Sequence, residues 1–191
     1  VLSRRQRQMC IRDRSNNLPI DILFVRSDDI PSLVSNGDAD LAIVGENILI
    51  EKTLFKRTYI EKMLNLGFSK CRLSFAVPQN SNIKSFKNKK IATSYPNTVK
   101  KYLKDNKIDA SVTNIHGSVE LTPYIGMSDV ICDLVSSGAT LEANNLKEIE
   151  IILQSQAVLI KNKNISAKKL SIATKVINLS LIHISEPTRR K

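Results

Sequence analysis

Short apolar runs alternate with amphipathic and polar stretches along this chain, the pattern of strands separated by helices. Ile20–Arg26 (IDILFVR) predicts a buried strand, and Asp28 and Asp29 ahead of Pro31 predict a helix that Gly37 stops. Asp40–Gly45 (DLAIVG) predicts a second strand, followed by a helical stretch from Glu46 and Asn47 to about Leu64. Cys71–Val77 (CRLSFAV) predicts a third strand, ended by Pro78, and the polar, lysine-rich residues 79–88 read as a linker. A second series follows. Lys90–Ser94 predicts a strand and Pro96–Asn106 a helix with Val99 and Leu103 on one face. Ser111–Ile115 predicts a strand, Ser118–Tyr124 a short helix, and Asp129–Val135 another buried strand. Glu148–Ile160 is long enough for one or two strands, and Ile165–Leu179 predicts a helix.

The two series resemble each other. Gly37-x-x-Asp40 precedes LAIVG, and Gly126-x-x-Asp129 precedes VICDL, each reading as a helix stop, an acidic turn and a buried strand. The expected fold is therefore α/β with two similar lobes. Lobe I is expected over 16–80 with 150–179, and lobe II over 81–149. Right-handed crossovers would turn the strands' carboxyl ends toward a shared cleft lined by small polar residues.

One segment of that edge carries chemistry. Ser128–Asn145 (SDVICDLVSSGATLEANN) places Ser136, Ser137, Gly138, Ala139 and Thr140 between a buried strand and a helix start at Leu141. The first N–H groups of a helix lack internal acceptors and carry partial positive charge, so such a loop can hold a phosphate. Gly138 would admit the anion close to the backbone, and the hydroxyls can donate to its oxygens. Asp133 could accept hydrogen bonds from sugar hydroxyls. The plain alternative is an ordinary strand-to-helix turn capped by Ser or Thr.

Composition narrows the partners. With 42% hydrophobic and 25% charged residues the 191-residue chain has the make-up of a globular protein. Aromatics are 5% with no Trp, which argues against stacking platforms for single-stranded nucleic acid. No apolar run approaches the ~18 residues of a membrane span. No apolar secretory segment opens the chain, so a cytoplasmic setting is the expectation. Cys10, Cys71 and Cys132 are too few and too scattered for a disulfide framework and read as reduced thiols.

The net charge of +11 invites a nucleic-acid reading, but residues 1–15 hold +4 of it and residues 180–191 hold +2. The body keeps +5, a modest excess that suits a polyanionic small molecule. The two ends, with MCIRDR and SLIHISEPTRR, resemble translated sequencing-adapter read-through and are set aside as non-native tails. The competing reading is a native basic tail.

Several chemistries lack their residues. His116 and His183 are the only histidines, so no tetrahedral N/S metal site can be assembled, and no G-x-S-x-G elbow or P-loop pattern occurs. His116 reads as a loop residue. Asp28, Asp29, Glu46, Glu120 and Asp133 could hold Mg²⁺ through a substrate's phosphates, although each alone is the kind of residue that caps a helix or sits in solvent.

Glu120, five residues, Gly126-Met127-Ser128, two residues, Ile131-x-Asp133-Leu134, two residues, then Ser137-Gly138-x-Thr140-Leu141 reproduces a signature. It resembles that of the ATP phosphoribosyltransferase family. DILFVRSDDIPSLV at 21–34, DLAIVGENIL at 40–49, CRLS at 71–74 and KKIATSYPNTVKKYL at 89–103 extend the similarity over about residues 16–180. The resemblance implies two lobes of the type II periplasmic-binding-protein kind around a cleft. It also implies the first step of histidine biosynthesis: ATP and phosphoribosyl pyrophosphate give phosphoribosyl-ATP and pyrophosphate, with Mg²⁺. Adenine N1 would attack the anomeric carbon as pyrophosphate departs, which positioning and electrostatics can promote without a covalent enzyme intermediate.

Carried over by position, the resemblance makes Ser136–Thr140 the cradle of the 5′-phosphate and puts Asp133 near the ribose hydroxyls. Glu120 would lie beside the sugar or fix the loop, and Gly45, Glu46 and Asn47 would line the opposite wall. Arg72 could meet a phosphate or remain a surface residue. Thr93, Ser94 and Tyr95 would contact nucleotide or pyrophosphate. A homo-oligomer is implied for the full-length protein. The family's first strand is expected ahead of residue 16, and long-form members carry a further regulatory domain, which DDIP and GEN weakly favour here. The chain as written is therefore expected to be truncated at both ends, and poorly active or unstable. A non-catalytic two-lobed receptor for a phosphorylated ligand is the rival reading.

Overall fold

The computed structural model describes residues 11–14 and 19–175. Within that range the chain divides into two compact units. One holds the residues through 43, 58–64 and those from 159 on; the other holds 44–57 and 65–158.

In the first unit, strand β1 (Ile11–Arg14) pairs antiparallel with β2 (Asp21–Phe24). Ile11–Arg14, which the sequence pattern assigns to a non-native end, form this ladder through their backbone. All four residues of β2 are exposed, whereas the apolar run predicted burial. Among the described residues β2 belongs to a two-stranded sheet, so its apolar side chains have no covering layer there. Helix α1 (Ile30–Asn36) starts after Asp29 with Pro31 in its first turn. It stops at Gly37, whose φ of 87° is the left-handed conformation that ends helices and favours glycine.

Strand β3 (Leu41–Gly45) leads directly into helix α2 (Glu46–Thr53). The helix expected to reach Leu64 stops at Thr53, and Ile60–Asn65 is instead strand β4. Phe55 breaks the helix at a φ of 62°, and the segment after it joins a three-stranded sheet in the order β3, β10 (Ala157–Asn162), β4. A ladder partner almost a hundred residues away overrides local helix preference there. Asn162 is buried beside α1 and donates to the carbonyl of Val34 at 2.5 Å, satisfying a terminal helix acceptor. Residues 167–175 are helical, and the rest of the stretch expected to run to Leu179 lies outside the described residues.

The second unit is built on a five-stranded mixed sheet. Its strands are β5 (Cys71–Pro78), β6 (Lys90–Thr93), β7 (Ser111–Asn114), β8 (Val130–Val135) and β9 (Leu146–Ser155). They lie in the order β7-β6-β8-β5-β9. β6 runs parallel to β7 and β8, while β5 is antiparallel to both β8 and β9. Alternate residues of the apolar runs go to opposite faces. Leu73, Phe75, Val77, Ile91, Val130 and Cys132 join Val99 and Leu103 of helix α3 (Pro96–Asp105) in one core. Ala76, Ala92, Ile131 and Val135 pack on the other face with Leu141 of helix α4 (Ala139–Ala143) and Val119 of the 3-10 turn Val119–Leu121. The consecutive apolar residues Phe75–Val77 and Val130–Cys132 thus have both faces covered, as expected of strands buried inside a sheet. Phe86, within the polar stretch 79–88, anchors it by packing on Phe75 at 4.4 Å between ring centroids.

The expected lobe boundary at 80/81 differs from this division. β5 and β9 share a sheet with β6–β8, because the apolar strand β5 finds a ladder partner on each side only between β8 and β9.

Candidate phosphate-binding edge

Three parallel strands bring their carboxyl ends to one edge of the five-stranded sheet. β6 ends at Ser94–Asn97, β7 at Ile115–Ser118 and β8 at Ser136–Thr140. The antiparallel β5 places its first residues at the same edge, since Arg72 is in register with Val135. β6 connects to β7 on one side while its other neighbour is β8, so the connections leave this pair in opposite directions. α3 covers one face and α4 the other. Open α/β sheets bind ligands at such a switch point.

The loop after β8 is open, as is His116–Ser118 after β7. Ser136, Ser137, Ala139 and Thr140 are exposed, and Gly138, at a φ of 92°, precedes α4. A side chain at Gly138 would meet nothing within 4 Å, so the glycine serves the backbone conformation and leaves the loop uncovered. Ser137 Oγ accepts from the Ala139 N–H at 3.4 Å, a weak local turn that leaves the remaining hydroxyls outward.

Asp133 lies half-buried just before the loop, its Oδ1 accepting the N–H of Leu134 at 2.8 Å. Burial raises its pKa; the Leu134 N–H opposes the shift, and the charge of Glu120 adds to it. Glu120, on the 3-10 turn, therefore acts on Asp133 electrostatically. Among the described residues no three acidic, histidine or cysteine groups converge as a metal cage. Asp133 and Glu120 bring two acidic groups to this edge.

Arg72 is committed within the protein. Its Nε and Nη2 each donate to the Glu148 carboxylate at 2.6 Å, and Nη1 donates to the carbonyl of Ser136 at 3.2 Å. Arg72 thus braces the first residue of the loop. Glu148 gave no sequence signal, because its partner lies 76 residues away.

Others of the expected residues make hydrogen bonds within the protein. Thr93 is fully buried and its Oγ1 accepts from the Tyr95 N–H at 2.9 Å. Ser94 Oγ donates to the carbonyl of Ile115 at 2.8 Å. Asn47 is buried, donating through Nδ2 to the Tyr95 hydroxyl at 3.0 Å and accepting from Ser155 Oγ at 2.9 Å. Gly45 leaves room for that arrangement, since a Cβ there would lie 2.5 Å from Asn47 Oδ1. Glu46 opens α2, its N–H donating to the carbonyl of Gln156 at 2.9 Å. His116 is exposed beside Asn114. Asp28 and Asp29 lie at the start of α1, in the other unit. Cys10 and His183 lie outside the described residues. No helix among the described residues is long and apolar enough to cross a membrane.

This architecture defines the class, an α/β fold shared with periplasmic ligand-binding proteins. A periplasmic sulfonate-binding protein from Methylobacillus flagellatus superposes with a TM-score of 0.57 at 19% identity, over 83% of this chain and 53% of that one. The chain belongs to the ATP phosphoribosyltransferase family, whose sequence profile matches residues 26–181. It is 47% identical over 167 residues to an ATP phosphoribosyltransferase of Bacteroides thetaiotaomicron, covering 86% of this chain and 58% of that protein. It also superposes on a chain of the ATP phosphoribosyl transferase (HisG:HisZ) complex from Thermotoga maritima with a TM-score of 0.77 at 26% identity, over 92% of this chain and 88% of that one. The chain spans less than two thirds of the length of such curated relatives.

Proposed function

We propose that the chain carries the phosphoribosyl-binding part of an enzyme that joins phosphoribosyl pyrophosphate to N1 of ATP, releasing pyrophosphate. The observation that carries this is the exposed Ser136–Thr140 loop at the carboxyl end of β8, with Gly138 in the left-handed conformation and Asp133 just before it. In this reading the loop's N–H and hydroxyl groups hold the 5′-phosphate, and Asp133 accepts from the ribose hydroxyls. Arg72 keeps the loop's first carbonyl in place. The bond from adenine N1 to the anomeric carbon forms as the bond to the pyrophosphate oxygen breaks, with inversion. No side chain takes part covalently, and the protein contributes alignment and electrostatic stabilisation. Mg²⁺ would come with the substrate phosphates, near Asp133 and Glu120, and neutralise charge on the departing pyrophosphate. The partners are ATP and phosphoribosyl pyrophosphate, in a cytoplasmic homo-oligomer of the full-length protein.

Calorimetric titration with phosphoribosyl pyrophosphate and Mg²⁺, alongside pyrophosphate release on adding ATP, tests this. Binding with release supports the transferase. Binding without release by a chain completed with a relative's flanking segments would favour the non-catalytic receptor, and no binding would remove the cradle assignment.

A further inference from the structure

Among the described residues, the Ser74 hydroxyl is the buried side-chain oxygen that no aligned hydrogen bond satisfies. Ser74 is 1% exposed, and a hydroxyl so buried and unpaired is destabilising and calls for an explanation. Its strand supplies one. β5 lies between β8 and β9, and each neighbour carries a carboxylate toward it.

On the β8 side Ser74 stands directly opposite Asp133 in the antiparallel register. Opposite residues share a face with Cβ atoms about 4.5–5.5 Å apart, within reach of a hydroxyl that turns about one side-chain torsion. On the β9 side, Glu148 is held below its ordinary pKa chiefly by Arg72 and also by the nearby Ser74 hydroxyl. The two carboxylates are unequally supplied. Glu148 already takes two N–H groups of Arg72 at 2.6 Å each. Asp133, half-buried, accepts one hydrogen bond, from the Leu134 N–H at 2.8 Å. A serine has one hydroxyl proton to give, and the more deeply buried, less supplied carboxylate gains more from it.

We infer that Ser74 is a positioning residue for Asp133, its hydroxyl turning to donate to the ionised carboxylate and fix the oxygen that meets the ligand. The inference deepens the proposed function and rests on it for what Asp133 binds. The Arg72–Glu148 pair then has a second use, since it satisfies Glu148 and leaves the Ser74 proton free for Asp133. The other charged groups on the elements around Asp133 are Glu120 on the 3-10 turn, Glu142 on α4 and Lys90 at the far end of β6. None of these three is altered by a change at Ser74.

The test follows the side-chain carboxyl resonances of Asp133 and Glu148 against pH in the wild type, S74A and S74C, with D133N and E148Q to assign them. Phosphoribosyl pyrophosphate affinity is measured on the same proteins by calorimetry. S74C keeps the volume of serine but donates only weakly, and it carries the reading should S74A fail to fold. Both variants are expected to raise the Asp133 midpoint by about one pH unit, because the ionised form loses a donor, and to move Glu148 less. Affinity should fall several-fold with the fold unchanged by circular dichroism. An Asp133 midpoint that stays put in the folded variants would overturn the inference, as would a shift confined to Glu148. A raised Asp133 midpoint in a wild-type background that binds no phosphoribosyl pyrophosphate would support the Ser74–Asp133 bond and count instead against the ribose role of Asp133, so the two failures are distinguishable.

Discussion

Arg72 and Glu148 form a two-pronged ion pair, with Nε and Nη2 each 2.6 Å from a carboxylate oxygen. The pair's third contact, from Nη1 to the Ser136 carbonyl, ties it to the candidate phosphate loop. Arg72 holds Glu148 below its ordinary pKa. A carboxylate depressed in the folded state adds stability that is fully present above its unfolded pKa and is lost as pH falls through the folded one. E148Q should therefore weaken the acid dependence of unfolding, and R72K, which cannot reproduce the planar fork, should lower affinity for phosphoribosyl pyrophosphate several-fold. Acid unfolding followed by circular dichroism, and calorimetry, check the two effects. An R72K variant with unchanged affinity would show that the brace does not matter to the loop.

Gly138 and Thr140 test the cradle itself. T140V keeps the shape and removes a hydroxyl, and loss of a hydrogen bond to a charged phosphate costs about 1.5–3 kcal/mol of binding. That corresponds to roughly tenfold or more in affinity for phosphoribosyl pyrophosphate. G138L must adopt the left-handed conformation at a cost of about 1–2 kcal/mol and places a side chain over the open loop. Both variants should retain the wild-type far-ultraviolet spectrum. Unchanged affinity in both would refute the assignment.

Asp133 should show a conflict between stability and function. Its pKa is raised, chiefly by burial, so between the unfolded and folded values the native state binds more protons than the unfolded one. Stability falls as pH rises through that window, and the loss is complete above it. D133N removes this penalty, so the variant is expected to be at least as stable as wild type at neutral pH, with the advantage vanishing in acid. Its affinity for phosphoribosyl pyrophosphate should nevertheless fall. Thermal unfolding at several pH values decides the matter; a D133N protein less stable at neutral pH would contradict it.

Gly45 is required by space rather than by φ, which is an ordinary −66°. An added Cβ would lie 2.5 Å from Asn47 Oδ1, an atom already accepting from Ser155. G45A should cost about 1–3 kcal/mol, the usual range for overpacking. The midpoint of thermal unfolding should drop by about 2–4 °C per kcal/mol in a chain of this size. Combining G45A with N47A should be less damaging than the sum of the two, because the clash needs both groups. Strict additivity would remove the steric explanation.

Residue pattern alone determined much of this protein. Strictly local signals placed α1 between Asp29 and Gly37, α3 after Pro96, and the strand, loop and helix start around Gly138. The apolar run at Val130–Val135 predicted a buried strand, and β8 is covered on both faces. These features depend on backbone conformation and burial within a few residues, which composition and spacing encode directly. Tertiary structure decided what depends on distant partners. Residues 60–65 became a strand because β10 pairs with them, and Ile22, Leu23 and Phe24 stayed exposed in a two-stranded ladder. The hydrogen bonds of Arg72 to Glu148 and of Asn47 with Ser155 join residues 76 and 108 positions apart in the chain. Glu51 gives no signal of its partners in its own helix, and it accepts the Asn97 and Thr98 N–H groups only because folding brings the start of α3 against it. A hydrogen-bonding side chain can be read from sequence as a donor or acceptor, but which group it meets is fixed only when the chain has folded.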